Sequence, residues 1–456
     1  MDKVQGYLTL LHSFVWGIPL LLLLLGTGIY LTFVLKGVQF RYLAYGLRQS
    51  WTAQPKRAKG DISHLEALMT TLAGAIGTGS IVGVATGITL GGVGAIFWMW
   101  VTALVGMALK YAESLLAVKF RVEDANGEQI GGPMEYIERG LGWRWLAITF
   151  AIFGTLAAIG TGNLVQANSI ADAIDNVWDV NPWFTGVILA VLVSAVVLGG
   201  VRAIGRVASI IVPFMALFYM AGGLWIILEY ADKVPAAFMA IFEAALTPQA
   251  AVGGAAGSGI IAAIQVGVAR GIFTTEAGIG ISSIAAAAAR TDSPARQATI
   301  MMTGGLIAVV FVCTVTALVL IVSGATQMRD ADGMLLQGSA MAIAAFSKSI
   351  TGGHYILTVA LVLFAYTTML AWAFYGEKCA EYLFGTKAVM PYRVLFALCV
   401  IPGAAIDLNL VWTLADTFNG LMAIPNLIAL VALTSVLISE TKHFEHDVRQ
   451  EAKERK

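Results

Sequence analysis

Long stretches without a charged residue are the feature that most constrains how this chain folds. No Asp, Glu, Lys or Arg occurs between Lys3 and Lys36, and none occurs from Ala67 to Leu109. A helix needs about 20 apolar residues to cross the hydrocarbon core of a bilayer. Both runs exceed that length, and the first is also longer than the apolar core of a cleavable signal peptide, which has about 7–15 residues. The chain is therefore predicted to span a membrane several times.

The composition excludes several other classes of protein. Apolar residues make up 58% of the 456 residues and charged residues only 12%, whereas a soluble domain has about 25% charged residues. So few polar residues cannot coat a water-soluble core, and so apolar a chain is not disordered. Basic and acidic residues both number 28, which argues against a nucleic-acid partner. The three cysteines have no disulfide or zinc-ligand spacing, so we expect them to be buried apolar side chains.

Eleven charge-poor segments are predicted to be transmembrane helices, which makes the fold class an all-α polytopic membrane protein. The segments are 12–35, 64–90, 93–118, 145–171, 183–201, 207–228, 255–289, 297–323, 353–376, 390–406 and 410–438. Lys and Arg are concentrated in the connections that lie on one side of this arrangement. The positive-inside rule makes that side cytoplasmic. An external N-terminus and a cytoplasmic C-terminus follow.

Two of the predicted spans contain residues that weaken a continuous helix. The second span has four glycines within residues 73–83, and the seventh has three glycines, Arg270 and Glu276 within residues 270–280. Each glycine costs a helix about 1 kcal/mol relative to alanine. Both spans are therefore predicted to unwind in the middle. The alternative is that the small residues only let neighbouring helices pack closely.

The two interrupted spans are predicted to begin two repeats of opposite orientation. The second of them comes five spans after the first, and in each set the longest connection follows the second span, at 119–144 and at 324–352. Inverted repeats that include interrupted helices occur in transporters that bind their substrate near the middle of the membrane. The prediction is one transport domain over 1–456, with an extra N-terminal helix at 12–35, five-helix repeats at 64–228 and 255–438, and a cytoplasmic tail at 439–456.

Short motifs occur along nearly the whole chain. They include GTG at 77–79, FWMWVTA at 97–103, GGPM at 131–134, NLVQANS at 163–169, VPFM at 212–215, VARGIF at 268–273 and YGEKCAEYLFG at 375–385. Together they resemble the alanine or glycine:cation symporters of prokaryotes, a family similar to the LeuT-type fold. The resemblance implies transport of alanine or glycine across the prokaryotic plasma membrane, with Na+ as the coupling ion and no other cofactor. It also implies that the protein contacts membrane lipid and has no obligatory protein partner.

An unwound helix presents backbone groups to a substrate. Free N–H and C=O groups are costly in a bilayer unless they are bound. The N-terminal end of a half-helix favours anions, and its C-terminal end favours cations. A zwitterionic amino acid carries a group of each kind. By the resemblance, its carboxylate binds the N–H groups of Thr78 and Gly79, and its ammonium binds carbonyls near Ala75, Phe273 and Thr274.

The resemblance implies further substrate contacts. It makes Gln166, on a span with three other polar side chains, a substrate contact, and it makes Trp372 a cap that limits side-chain size. Glu276 either holds the ammonium or titrates; the alternative is a structural pair with Arg270. Lys110 and Glu113 are interpreted as a pair near the membrane interface.

The resemblance also implies a sodium site between the second and ninth predicted spans. Its ligands are the carbonyls of Ala73, Ile76 and Phe364 and the hydroxyls of Thr367 and Thr368. Such oxygen atoms suit a hard cation. The alternative is that the two threonines only bond to the preceding turn of their own helix, as threonines in helices often do.

Two positions depart from the family pattern. Ser80 stands where the family usually has asparagine, and Ala308 stands where it often has aspartate. In LeuT-type relatives these regions help to form a second cation site. Serine offers one oxygen and alanine none, so we expect only the site at Thr367 and Thr368 to bind sodium.

Other classes of function fit the sequence less well. A membrane enzyme needs a nucleophile–base pair or metal ligands at one place, and a channel favours rings of like residues from symmetric subunits. No Gly-x-x-x-x-Gly-Lys-Ser/Thr motif of an ATP-driven pump occurs. Proton-coupled transport and an ion channel are the alternatives to sodium symport. The charged run 440–456 is interpreted as a solvated tail.

Overall fold

Helices make up most of the chain in the computed structural model, which describes residues 2–52, 58–246, 260–330, 333–406 and 408–454. The α-helices of these ranges are α1 (Asp2–Val15), α2 (Ile18–Val34), α3 (Val38–Arg41), α4 (Leu43–Gln49), α5 (His64–Ala75), α6 (Val82–Gly91), α7 (Ala95–Lys119), α8 (Pro133–Leu141), α9 (Arg144–Ile159), α10 (Val165–Trp178), α11 (Pro182–Val197), α12 (Gly200–Glu229), α13 (Val234–Leu246), α14 (Ile260–Thr275), α15 (Ser283–Ala288), α16 (Pro294–Leu306), α17 (Thr314–Val322), α18 (Gly338–Ser349), α19 (Gly353–Phe384), α20 (Val389–Gly403), α21 (Leu408–Ala432) and α22 (Thr434–Glu454). Strands β1 (Val122–Glu123) and β2 (Gln129–Ile130) pair antiparallel.

Several of these helices are suited to crossing a membrane. Among the described residues, six are long and apolar enough: Ala95–Lys119, Arg144–Trp178, Gly200–Glu229, Pro294–Val322, Gly353–Phe384 and Val411–Ala432. Shorter apolar helices at Ile18–Val34, Val82–Gly91, Pro182–Val197 and Ile260–Thr275 overlap other predicted spans. The chain is thus an all-helical, multi-pass membrane protein, while the count of eleven spans stays a prediction.

Both spans that were predicted to unwind are interrupted. In the first, α5 ends at Ala75, residues Thr78–Ser80 form a turn of 3-10 helix, and α6 begins at Val82. In the second, α14 ends at Thr275 and α15 begins at Ser283. Glu276 has φ +55°, an uncommon value for a residue with a side chain, so the backbone leaves the helix there. Residues 255–259 of the seventh predicted span lie outside the described residues.

Two other helical pairs contain a wider turn instead of a break. Gly160–Leu164 forms a π-helical turn between α9 and α10, and Ile307–Cys313 forms another between α16 and α17. A π turn inserts a residue into the helix and rotates the side chains that follow it, and such turns are frequent at functional sites.

The structure also corrects three boundaries. The predicted helix 12–35 is two helices, α1 and α2, because Pro19 lacks the N–H that a continuous helix needs and instead stands in the first turn of α2. The long connections 119–144 and 324–352 each contain an unpredicted helix, α8 and α18. Helix α13 was likewise not predicted.

The interpretation of residues 440–456 as a solvated tail is wrong for the described part. Helix α22 runs to Glu454, and Leu437, Thr441 and Phe444 are buried along it. Their spacing of four and three residues places them on one face of a helix. Lys119 pairs with Glu440 at 2.7 Å, and Tyr111 on α7 shares a hydrogen bond of 3.0 Å with Thr441. The prediction failed because the many charged residues of this segment outnumber the few apolar residues that form its packed face.

Backbone pairing joins the outer ends of the two interrupted helices. Ile62, just before α5, and Ala289, just after α15, form a parallel bridge. The guanidinium of Arg121 donates to the carbonyls of Ala287 and Ala289, at 3.0 and 2.8 Å, and to those of Lys59 and Thr291, at 3.1 and 2.7 Å. One side chain thus ties together the two segments from which the interrupted helices begin and end.

Candidate functional site

The first break lies against the middle of α19. The hydroxyl oxygen of Thr368 is 2.8 Å from the carbonyl oxygen of Ala73 and 2.9 Å from that of Phe364. Gly77 lies directly beside it, since a methyl group at that position would collide with the Thr368 side chain. The absence of a side chain at Gly77 therefore permits the approach of the two helices.

The second threonine is oriented differently. The hydroxyl of Thr367 lies 3.1 Å from the Phe364 carbonyl oxygen and 3.4 Å from the sulfur of Met215 on α12. Thr367 thus faces α12 while Thr368 faces α5. Of the predicted sodium ligands, Ala73, Phe364 and Thr368 come together; Thr367 shares the Phe364 carbonyl, and Ile76 is buried at the end of α5. The bonds to the Phe364 carbonyl are those expected if the two threonines bond to the preceding turn of their own helix. The contact of Thr368 with Ala73 joins a second helix and is not explained in that way.

Gln166 reaches the same break from α10. Its amide nitrogen donates to the carbonyl of Thr161, at 2.9 Å, within the π-helical turn, and its amide oxygen lies 3.4 Å from the backbone nitrogen of Thr78. Asn163 and Asn168 on the same span instead donate to the carbonyls of Phe396 and Ile406, at 2.5 and 2.6 Å. These two side chains join neighbouring helices, whereas Gln166 faces the unwound segment.

The end of α14 lies across the first break. A methyl group at Gly79 would be 2.8 Å from the Phe273 ring and 3.2 Å from the Thr274 hydroxyl. The hydroxyls of Thr78, Ser80 and Thr274 are buried, and none has a hydrogen-bond partner among the described residues. An unsatisfied buried polar group costs about 1–3 kcal/mol. This cluster is therefore suited to bind a polar ligand, and Ala75 is buried next to it in sequence.

Cys313 belongs to this cluster. Its thiol lies near the hydroxyls of Ser80 and Thr274, at the end of the π-helical turn that also contains the buried Ala308. Cys313 and Cys379 are buried, as the sequence predicted, whereas Cys399 is half-buried. The prediction for Cys313 missed its polar neighbours, because nothing in the local sequence shows which groups a buried thiol meets.

Trp372 lies between the fourth predicted span, 145–171, and the second break. It is 1% exposed, and a side chain at Gly162 would overlap its Cβ atom. Its indole is near the carboxylate of Glu276, and its ring meets that of Tyr375 edge-on at 5.9 Å. The predicted substrate-contact residues therefore surround the two breaks, and Trp372 forms one wall of that region.

The suggested pair between Arg270 and Glu276 does not form. Arg270 bonds Asp416 on α21 at 3.0 Å, and its guanidinium lies 4.8 Å from the Trp412 ring. The ring of Phe273 lies 4.9 Å from that of Trp412, at an angle of 33°. Arg270 lies inside α14, whereas Glu276 follows its last residue, where the backbone leaves the helix at φ +55°, and the two side chains point to different sides. Asp416 is a charged residue within the apolar predicted span 410–438, and this position could have identified it as a partner for Arg270.

The interpretation of Lys110 and Glu113 as an interfacial pair is also wrong. Both are fully buried in the bundle. Lys110 Nζ donates to the hydroxyl of Ser282 at 2.8 Å, and Glu113 accepts from the N–H of Gly278 and from the amide of Asn426, each at 2.8 Å. The hydrogen bonds of these side chains go to the second break and to α21 rather than to each other. Their spacing of three residues, which puts both on one helix face, was the signal available in the sequence.

Comparisons with known proteins identify the family. The model of the Sodium:alanine symporter family matches residues 1–456. The Sodium/alanine symporter AgcS of Methanococcus maripaludis is 49% identical over 97% of both chains, and the Probable sodium/glutamine symporter GlnT of Bacillus subtilis is 35% identical over 95% of this chain and 89% of its own. The solved structure of MhsT in complex with L-phenylalanine has a TM-score of 0.57 at 14% identity, over 84% of this chain and 98% of that one, which shows a similar fold. The chain therefore belongs to the sodium:alanine symporter family and is a sodium-coupled amino acid transporter, not an enzyme.

Proposed function

We propose that the protein carries alanine or glycine together with sodium by alternating access. The observation that carries the proposal is the position of the Thr368 hydroxyl, 2.8 Å from the Ala73 carbonyl oxygen and 2.9 Å from the Phe364 carbonyl oxygen. Hydroxyl and carbonyl oxygens are ligands that suit a hard cation. Because the oxygens belong to two helices, a bound sodium ion depends on the relative position of those helices. Thr367 and the carbonyl of Ile76 complete the proposed ligand set.

The substrate is proposed to bind between the two breaks. Its carboxylate accepts from the N–H groups of Thr78 and Gly79, where Gln166 already lies 3.4 Å from the Thr78 nitrogen. Its ammonium meets the carbonyls of Ala75 and Phe273 and the Thr274 side chain. The unpartnered buried hydroxyls of Thr78 and Thr274 support this arrangement, because a polar ligand removes the cost of leaving them unsatisfied.

Two further contacts are proposed for the substrate. The carboxylate of Glu276 is a partner for the ammonium, since its oxygens have no hydrogen bond of normal geometry among the described residues. Trp372 limits the substrate side chain. The name of the related sodium/alanine symporter AgcS supports alanine as a substrate.

The architecture proposed for alternating access is eleven helices, with one extra N-terminal helix and two inverted repeats of five. It is supported by the interruption of both α5–α6 and α14–α15 and by the placement of α8 and α18 in corresponding long connections. The excess of Lys and Arg on one side supports an external N-terminus and a cytoplasmic C-terminus in the plasma membrane.

Uptake into proteoliposomes tests the proposal. Radiolabelled alanine and glycine are offered under an inward sodium gradient, under a proton gradient, and with neither. We expect saturable, concentrative uptake with the sodium gradient alone. Uptake driven by protons without sodium contradicts the choice of ion, and unitary currents in planar bilayers contradict a symporter. A Thr368→Ala variant tests the role of Thr368 in the same assay. Its matched control is Thr358→Ala, because Thr358 is also a buried threonine of α19.

A further inference from the structure

Three charged side chains are buried around the second break. Lys110 is 1% exposed, and Glu113 and Glu276 are 0% exposed. With every group ionised, the cluster has one more negative than positive charge. A buried charge without a partner is costly. The cluster therefore favours the binding of one further positive charge, and its geometry determines where that charge lies.

Helix α7 holds the unwound segment 276–282 near its start, its middle and its end. Lys110 Nζ lies 3.8 Å from Oε2 of Glu276 at the start and 2.8 Å from Oγ of Ser282 at the end. In the middle, Glu113 accepts from the N–H of Gly278 at 2.8 Å, while Asn426 donates to the Gly278 carbonyl at 2.9 Å. The break therefore has a fixed shape that depends on side chains of α7.

The carboxylate of Glu276 is directed at the other interrupted helix. A methyl group at Gly74 would lie only 2.7 Å from its Oε1 atom. This point is near the C-terminal end of α5, where the helix carries partial negative charge. Neither carboxylate oxygen has a hydrogen bond of normal geometry among the described residues, and the nearest donor is the indole of Trp372. An ionised carboxylate in such a place is stabilised by a nearby cation.

Lys110 is the ion-pair partner of Glu276, but at 3.8 Å its nitrogen is too far away for a direct hydrogen bond. Its short bond is to Ser282. Lys110 thus stabilises the ionised carboxylate electrostatically and leaves both carboxylate oxygens available to another donor. The ammonium group of an amino acid bound between the breaks is such a donor.

We infer that Lys110 is a positioning residue for substrate binding: it holds the Glu276 carboxylate ionised and directed at Gly74, where that carboxylate receives the substrate ammonium. The inference rests on the proposed role of Glu276. It assigns no contact between Lys110 and the substrate. Lys110 therefore acts on alanine affinity through Glu276 alone.

A double-mutant cycle tests this dependence. The alanine Kd is measured on the purified full-length protein, in the presence of sodium, for Lys110→Met, Glu276→Gln and the double variant. We expect each single change to weaken alanine binding about tenfold or more, since removing one member of a buried charge pair has a large effect. The double variant is expected to bind alanine no more weakly than Glu276→Gln alone.

Lys378→Met is the matched control. Lys378 is also 1% exposed, and it pairs with Glu128 at 2.7 Å and with Glu381 at 2.9 Å at the far end of α19. Its removal disturbs a buried charge cluster that does not include Glu276. Any effect of Lys378→Met on alanine binding is expected to be the same with and without Glu276→Gln.

The outcomes separate the inference from the function on which it rests. An unchanged alanine Kd in Lys110→Met, or a loss that adds fully to that of Glu276→Gln, overturns the inference and leaves the proposed symport intact. Wild-type binding by Glu276→Gln overturns the proposed role of Glu276 and the inference with it. If Lys110→Met does not yield a monodisperse protein, Ser282→Ala replaces it. That variant removes only the hydroxyl partner of Lys110, and the same non-additivity is required.

Discussion

The side chains of the candidate site reach one another because small residues stand between them. Gly77 admits Thr368, and Gly162 admits Trp372. In each case a Cβ atom would overlap a side chain that the proposal places in the site. The need for space, in addition to helix weakening, therefore explains why glycine occurs at these positions. Because the side chains are packed so closely, exchanging one of them tests its role in the site.

Thr368→Ala tests the sodium site. The change removes one oxygen ligand next to the Ala73 and Phe364 carbonyls, so we expect the sodium concentration for half-maximal alanine uptake to rise several-fold. Thr368→Ser keeps the hydroxyl and is expected to stay close to wild type. The measurement is initial uptake against sodium concentration, with normal membrane insertion verified. Unchanged sodium dependence in Thr368→Ala would remove Thr368 from the site.

Trp372→Leu tests the wall of the substrate region. The indole is 1% exposed and packs beside Gly162, so a smaller side chain leaves space near the breaks. We expect weaker alanine transport or inhibition of alanine uptake by larger amino acids such as glutamine. Trp145→Leu, at a tryptophan that is 68% exposed, is the control. If Trp372→Leu keeps both the affinity and the substrate profile of the wild type, the residue is part of the core only.

Helix α22 shows how a charged segment becomes part of the bundle. The Phe444 ring meets those of Tyr42 and Tyr45 edge-on at 5.2 and 5.4 Å, whereas Glu445 forms a partly exposed pair with Arg41 at 2.8 Å. The apolar contact and the ion pair lie next to each other on one helix. Their contributions to stability can therefore be compared directly.

We expect Phe444→Ala to destabilise the protein much more than Glu445→Ala. Truncating a buried phenylalanine costs about 3–5 kcal/mol, and an exposed ion pair contributes about 0.2–1 kcal/mol. Thermal melting of the purified protein, at low and at high salt, provides the comparison. Equal losses in the two variants, or a loss in Phe444→Ala that salt removes, would show that ion pairs hold α22 in place.

The number of coupled sodium ions is a property of the complete transporter. Near Ser80 the structure offers hydroxyls and the thiol of Cys313, and Ala308 has no oxygen in its side chain. A thiol is a soft ligand that suits sodium poorly. We therefore expect a second cation beside the substrate carboxylate to find too few ligands to compensate for its lost hydration.

We expect alanine uptake to rise with sodium concentration along a hyperbolic curve, with a Hill coefficient of about one for a single coupled site. Without sodium, concentrative uptake should be lost. Initial rates over a wide range of sodium concentrations provide the measurement. A sigmoidal curve with a coefficient near two, lowered to about one by Ser80→Ala, would show that a second ion binds after all.

The local pattern of residues was sufficient for part of this molecule. Charge-free runs predicted the membrane helices, and glycines within 73–83 and 270–280 predicted the two interruptions. The motifs predicted the family to which the chain belongs. These features depend on neighbouring residues, because helix propensity and hydropathy act over one or two turns of chain.

The partners of the buried charges were decided by the tertiary structure alone. Arg270 bonds Asp416, and Lys110 bonds Ser282, across 146 and 172 residues of sequence. The predicted pairs joined charges that are close in the chain, whereas the structure gives Arg270, Lys110 and Glu113 partners on distant segments. The packed face of α22 and the polar neighbours of Cys313 have the same origin: each depends on which distant helix lies opposite, and local sequence does not encode that choice.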